Sequence, residues 1–341
     1  MRINRHMLLA AITALGAFQQ NDFALAADSA PSAPAKAAPA NPAPTFPFFY
    51  VNDNRVTFAY APEVGFPGFP GKTAEKTLAF THLDVWAYGT NFVNIGISKY
   101  DQHAPAAPCT VSYQGCAGSV KAAGSIRSTF GFNEIFGTKA FSIGPLRNVA
   151  FEVGADGAVG NVTSGLSLYA LTAGLQFTFD LPYKGIFNIA PLIYKERIYY
   201  GTVSPFGPFK PGIPDGTFDF DPTWAVEANY QMNLGFLPET IPLAISGRML
   251  IVGAQGYGYA AGQLPSTVFP PSATQFITEP IRLTLDASRI IWGKNYSHAL
   301  DVWVAYKYNQ NVLSLDHDLS SACKGGACTT SSVYTGITAK F

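Results

Sequence analysis

The stretch TEPIRLTLDASRII (residues 278–291) alternates apolar and polar side chains far from any turn signal. Ile281, Leu283, Leu285 and Ala287 share one parity, and Arg282, Thr284, Asp286 and Ser288 share the other. A period of two marks a strand with two unlike faces. Either the apolar face turns inward, as in a soluble sandwich, or it turns outward to lipid around a polar interior. Aromatics at strand ends, alternating loop lengths and an export signal, set out below, tip the balance to the lipid alternative, and energy then fixes the register. An Arg or Lys facing lipid at mid-membrane costs about 2–4 kcal/mol, so turning Arg248, Arg282 and Lys307 to lipid would cost on the order of 10 kcal/mol, comparable to a domain's whole stability. Arg282 and Asp286 are therefore expected to line a lumen.

The same alternation runs along the chain from residue 48. Phe218, Phe220, Trp224, Val226, Ala228, Tyr230 and Met232 alternate with Asp219, Asp221, Thr223, Glu227, Asn229 and Gln231. Leu300, Val302, Val304, Tyr306 and Tyr308 oppose Asp301, Trp303, Lys307 and Asn309. Leu243, Ile245, Met249 and Ile251 oppose Ser246 and Arg248, and Leu83 and Val85 oppose His82 and Asp84. Twelve strands are predicted, near 48–60, 76–88, 91–100, 123–135, 147–158, 167–181, 185–199, 217–233, 240–252, 279–291, 298–310 and 331–341. Many exceed the five or six residues usual in soluble sheets and match the 9–11 that cross a bilayer.

Long Pro/Gly-rich connections are expected at 61–75, 101–122, 200–216, 253–278 and 311–330. Short ones separate them, as at Gly89-Thr90, Pro182-Tyr183-Lys184 and Gly293-Lys294-Asn295-Tyr296; the 159–166 connection is short on the long side. Aromatics gather near strand ends: Tyr88, Phe92, Phe179, Tyr183 and Trp292 by the short turns, and Tyr60, Tyr199, Tyr200, Phe218 and Tyr308 by the long loops. Alternating loop lengths and two aromatic girdles describe an all-β, antiparallel, up-and-down transmembrane barrel over residues 48–341.

Arg2, Arg5, the apolar run at 7–18 and Ala24-Leu25-Ala26 read as a cleavable signal peptide over 1–26. The apolar run, about 12 residues, is too short to span as a helix, which needs about 20. Residues 27–47, rich in Ala and Pro, read as a periplasmic linker. With 22 basic and 22 acidic residues in 341 and only 13% charged, neither disorder nor nucleic-acid binding is indicated. Cys109/Cys116 and Cys323/Cys328 form two local pairs in Gly/Ala/Ser/Pro-rich loops. In an exported chain they read as two small disulfide loops, although four cysteines allow three connectivities. Neither pair has the spacing of a zinc knuckle, and no metal site, cofactor motif or catalytic triad is expected.

VNDNRVTFAYAPEV (51–64) and KTLAFTHLDVWAYGTNFVNIGISKYD (76–101) resemble the opening of the nucleoside-specific channel-forming porins (Tsx-like outer-membrane proteins), whose second strand reads TLxFxHxDxWxYGxNF. IAPLIYKERIYYG (189–201) resembles the middle of that family and VYTGITAKF (333–341) its end. The resemblance implies a twelve-stranded barrel in the bacterial outer membrane, passive uptake of nucleosides, and Phe80, His82, Asp84 and Trp86 facing the bore. Cysteine loops and the Pro-rich segments at 204–214 and 264–272 depart from the family where solutes enter.

The inferred lumen carries the acids Asp84, Glu152, Asp156, Glu196, Glu227, Asp286 and Asp301 and the bases Arg127, Arg248, Arg282, Lys307 and Lys340. That near balance suits a neutral, flat, polar solute better than an anion. Phe80, Trp86 and Trp303 would stack on its ring, and His82, carboxylates and Arg would bond its edge. The plainer alternative is charge pairing across strands, such as Arg282 with Asp301 or Arg248 with Asp286. Expected partners are outer-membrane lipid, small polar solutes and, through the terminal strand ending in Phe341, the outer-membrane assembly machinery. A structural or adhesive barrel with a blocked lumen is the alternative function. A lipid-modifying enzyme is disfavoured, because none of His82, His103, His298 or His317 sits beside a suitable serine.

Overall fold

A computed structural model describes residues 48–102, 104–105, 118–161, 166–199, 217–256, 272–319 and 321–341. The expected leader and linker, Cys109, Cys116, His103, Tyr200, the 204–214 segment and nearly all of 264–272 lie outside the described residues.

The strands in chain order are β1 (Phe49–Phe66), β2 (Phe69–Trp86), β3 (Gly89–Tyr100), β4 (Val120–Gly131), β5 (Leu146–Gly160), β6 (Ser167–Leu181), β7 (Gly185–Tyr199), β8 (Thr217–Asp219), β9 (Thr223–Asn233), β10 (Leu243–Val252), β11 (Gln275–Asp286), β12 (Leu300–Gln310) and β13 (Thr329–Lys340). All but β8 join in chain order into one closed antiparallel barrel of twelve strands. The ring closes where β1 pairs with β13, and β7 bridges β6 and β9. Among the described residues, short β8 pairs with the end of β7 alone. Closure matters because an open edge would leave backbone groups without partners in hydrocarbon.

The two faces are inverted relative to a soluble protein. Phe58 (52% exposed), Leu78, Ile126, Leu171, Ile193, Val304 and Ile337 stand on the outside, while Arg55, Arg127, Glu152, Glu227, Arg282 and Asp301 are buried within. The energetic reason is the one given for Arg282: the charged parity has nowhere to go but inward. This band of exposed apolar side chains around a closed register defines a transmembrane β-barrel. No helix among the described residues is long and apolar enough to cross a membrane.

Four expected boundaries shift, each for a local reason. Residues 61–75 are no long loop: β1 and β2 continue as a hairpin to Phe66 and Phe69, and Gly68, at φ 81°, makes the tight turn between them. The 279–291 strand ends at Asp286, whose carboxylate accepts from the Arg289 backbone N–H and caps a short helix (Ala287–Trp292). The 123–135 strand ends at Gly131, before a helical turn at Phe132–Ile135. The 217–233 strand breaks around Asp221-Pro222, where proline withholds a ladder donor. Phe218 and Phe220 are consequently buried inside rather than placed in an outer girdle.

At the end carrying the short turns, Tyr88, Tyr183, Trp292 and Tyr296 are exposed; at the opposite end, Tyr60 and Tyr199 are. Phe92 is a correction to that girdle, since it points inward and packs on Leu83. Cys323 and Cys328 are joined in a disulfide beside the start of β13.

Candidate functional site

Charged side chains fill the bore in three groups. At mid-barrel, Arg127 of β4 reaches from one wall to another. Its Nε donates to Glu227 of β9 at 3.0 Å, while Nη1 and Nη2 donate to the two carboxylate oxygens of Asp156 of β5 at 3.2 and 3.0 Å. Glu152 lies 3.8 Å away. Gly154 makes room for this arrangement, because a Cβ there would fall 2.6 Å from the Arg127 Cδ. Arg248 of β10 lines a small internal cavity with Asp156 and Tyr194.

The second group explains the stretch TEPIRLTLD. The register between β11 and β12 slips between Thr278 and Ile281, a bulge centred on Glu279-Pro280. The extra residue turns Glu279 to the same face as Arg282, so that the two form a bidentate pair at 2.6 and 3.1 Å. The Tyr334 hydroxyl donates to Glu279, and the Arg282 guanidinium lies 3.9 Å from the centroid of Trp303. Trp303 is seated on Gly336, where a Cβ would come 2.3 Å from the indole, and its Nε1 donates to Thr338 at 3.0 Å. Lys307 stands 6.0 Å from the Tyr334 ring.

The third group closes the short-turn end. Arg55 forms a bidentate pair with Asp53 at 2.7 and 2.8 Å and lies 3.8 Å from Asp301; Lys340 reaches Asp53 at 2.8 Å. His298, in the turn before β12, donates to Asp301 at 3.0 Å, and the Asp301 carboxylate raises the imidazole's pKa above its ordinary value. Asp286, His298 and Asp301 bring possible metal-binding atoms within 4.8 Å of one another. Their oxygens are already engaged, however: Asp286 accepts from Ser288, Ser297 and the Arg289 N–H. The trio reads as a helix cap beside an ion pair.

At the long-loop end the bore is apolar. Ile198, Phe218, Phe220, Val312 and Leu313 pack with Ala123, Ala158 and Leu168 into one buried cluster. The interior is thus an apolar layer above stacked charge clusters.

Glu227, Arg248, Arg282, Asp286, Asp301, Trp303 and Lys307 all face inward, as do Glu152, Asp156, Glu196 and Lys340. Four residues carried over from the porin resemblance do not. Thr77, Ala79, Thr81 and Leu83 hold the inward parity of β2, so Phe80 (38% exposed) stands on the outer face and His82, Asp84 and Trp86 share its parity, with Asp84 covered there by its neighbours (4% exposed). The reason is register: Thr81 pairs with Arg55 and Leu83 with Asp53, both inward. His82 bridges Asn54 at 2.8 Å and Asp84 at 3.2 Å, and Asn91 donates to Asp84 at 2.9 Å. Trp86 packs among Phe48, Tyr88 and Phe130. The expected pairs Arg282–Asp301 and Arg248–Asp286 give way to Arg282–Glu279 and Arg55–Asp301. Sequence reasoning missed Asp53, Arg55, Glu279 and Tyr334; the parity of Asp53 and Arg55 was available in the sequence, whereas Glu279 depends on the bulge.

No family model matches the chain, and no curated protein does. Among solved structures, an outer-membrane channel from Pseudomonas putida F1 is 11% identical, with 85% of this chain and 95% of that chain covered and a TM-score of 0.39. The translocator domain of the autotransporter NalP from Neisseria meningitidis is 9% identical over 85% and 88% of the two chains, with a TM-score of 0.37. The β domain of the Bordetella autotransporter BrkA is 9% identical over 85% and 100%, with a TM-score of 0.36. Likenesses of this size carry no argument. The class stands on the closed register and the inverted faces: a twelve-stranded antiparallel transmembrane barrel.

Proposed function

We propose that this chain is a passive outer-membrane channel for small polar solutes, held closed in the state described. The observation that carries this reading is the axial run of inward charges, from Lys340 and Asp53 at one end through Arg282 and Arg127 to Glu196. A barrel that served only as an anchor could fill its interior with apolar side chains, as small barrels fill theirs with side chains alone. Nucleosides are the solute class to try first. The 51–64 and 76–101 stretches support them by resemblance, and the near balance of inward charge suits a neutral ring. With Phe80 and Trp86 on the outer face, stacking would fall to inward rings such as Trp303, Tyr194 and Tyr334. The chain would reach the outer membrane through its signal peptide (1–26), with 27–47 as a spacer and Phe341 ending the strand offered to the assembly machinery.

One observation favours a second reading, a structural barrel with a blocked bore. Among the described residues, the Arg127 clamp crosses the bore and the Phe218/Phe220/Val312/Leu313 layer packs within it. Uptake of radiolabelled adenosine, thymidine and glucose into vesicles holding the refolded protein separates the two. Saturable nucleoside uptake above empty vesicles supports the channel; uptake equal to that of empty vesicles supports the blocked barrel.

A further inference from the structure

Most deep carboxylates of the bore are matched to bases: Glu152, Asp156 and Glu227 to Arg127, Glu279 to Arg282, and Asp53 and Asp301 to Arg55. Among the described residues, buried Asp286 and Glu75 have no ion pair but accept from hydroxyls, Ser288 and Ser297 in one case and Ser98 and Tyr100 in the other. Glu196 of β7 is left with an oxygen that neither arrangement satisfies. It is 1% exposed, and among the described residues no Lys, Arg or His ion-pairs with it. The charged residues either side in sequence serve elsewhere: Lys195 pairs with Asp219 at 2.7 Å, and Arg197 reaches the Tyr169 hydroxyl at 3.4 Å. Oε2 of Glu196 accepts from three neutral donors, Tyr194 at 3.0 Å, Gln275 at 3.1 Å and Gln255 at 3.5 Å.

Among the described residues, its other oxygen, Oε1, is buried with no hydrogen-bond partner, and so is the side-chain carbonyl Oε1 of buried Gln255. Two acceptors left over in one neighbourhood cannot satisfy each other without a proton or a cation between them, and a buried carboxylate without a counter-charge is the costly arrangement in an interior. A small cation would answer both lacks at once.

We propose that Glu196 and Gln255 form a binding site for a monovalent alkali cation, Na⁺ or K⁺. The donors are a carboxylate and an amide oxygen, which suit hard cations rather than zinc or copper. The site carries a single negative charge and no second carboxylate bonded to it, so a monovalent ion neutralises it, whereas calcium sites gather several anionic oxygens. Gln255 follows β10, its backbone N–H donates to Ser272 at 3.1 Å, and Gln275 opens β11. The bound ion therefore ties both ends of the β10–β11 connection to the wall at β7. This site does not depend on the barrel's conducting anything.

The test is the unfolding midpoint in urea of the refolded full chain in detergent, in sodium, potassium or N-methylglucamine chloride at equal ionic strength. It is read together with ²³Na relaxation. The expected result is a higher midpoint in an alkali salt than in N-methylglucamine, with ²³Na line broadening that potassium competes away. Glu196→Gln, which keeps the shape and removes the charge, abolishes both. Gln255→Ala, a change outside the strands, weakens both and serves if the first variant does not fold. Midpoints indifferent to the cation overturn the site, as does cation dependence that survives in both variants. An infrared carboxylic-acid band that Glu196→Gln deletes, without cation dependence, also overturns it, because a proton then fills the place.

Discussion

Arg127 on β4 donates to Glu227 on β9 at 3.0 Å, and three strands of barrel wall, β5, β6 and β7, lie between their positions in the ring. The bond is thus a strut through the interior rather than a rung between neighbours. Asp156 and Glu152, both on β5, complete the set around one guanidinium.

Replacing Arg127 leaves three inward carboxylates, two of them buried, without their shared base. Removing one partner of a buried ion pair typically costs about 3–5 kcal/mol, so Arg127→Ala should lower the unfolding free energy by about that amount. Urea titration of the refolded barrel measures it. A change near zero would mean that Arg248 takes over the vacated position.

Arg282 and Glu279 share a bulge, a bidentate pair and Tyr334. Arg282→Met should destabilise by about 3–5 kcal/mol, and adding Glu279→Gln should recover part of the loss by removing the stranded charge. A double-variant cycle on unfolding free energies reads the coupling; strict additivity would contradict the pairing.

Phe80 gives the sharpest test of register. A spin label at Phe80→Cys in lipid vesicles should collide readily with oxygen and poorly with a water-soluble nickel reagent. One at Thr81→Cys should not show that lipid signature. The reverse order would restore Phe80 to the bore and displace the whole of β2 by one residue.

His298 sits in a turn, outside the membrane-spanning strands, with its pKa raised above 6.5 by the neighbouring Asp301 carboxylate. Because the folded state binds the proton more tightly, the contribution to stability is fully present below the unfolded value. It is lost as pH rises through the folded value. The charged groups facing the imidazole are Asp301, Asp286 and Arg55. Unfolding midpoints from pH 5 to 9 should therefore fall across the range above 6.5 in the wild type, and His298→Gln should flatten that fall. An unchanged slope in the variant would remove His298 from the account.

The barrel was legible because membrane burial writes a two-residue period into every strand, and Arg248, Arg282 and Lys307 fix which parity turns inward. Strand number and much of the inward face followed from that alone. The errors occurred where something other than alternation decides. In β2, Phe80, His82, Asp84 and Trp86 look like a lumen set by type, yet Asp84 is tolerated outside because His82 and Asn91 bond it. Neighbouring Asp53 and Arg55, already inward, would have given the right parity through pairing. Glu279 was hidden by the bulge at Pro280, since strict alternation assigns it with the outward set. Phe218 and Phe220 alternate as well as any lipid-facing pair. Only the break near Pro222 sends them into the bore.

The most direct test of the closed-channel account is single-channel conductance of the refolded chain in a planar bilayer, for wild type and Arg127→Ala, titrated with adenosine, thymidine and glucose. The account predicts small or infrequent wild-type openings, larger or longer ones once the strut is removed, and saturable block by nucleosides but not by glucose. Two silent proteins, each confirmed as folded barrels, would contradict it and leave a structural barrel with a sealed interior.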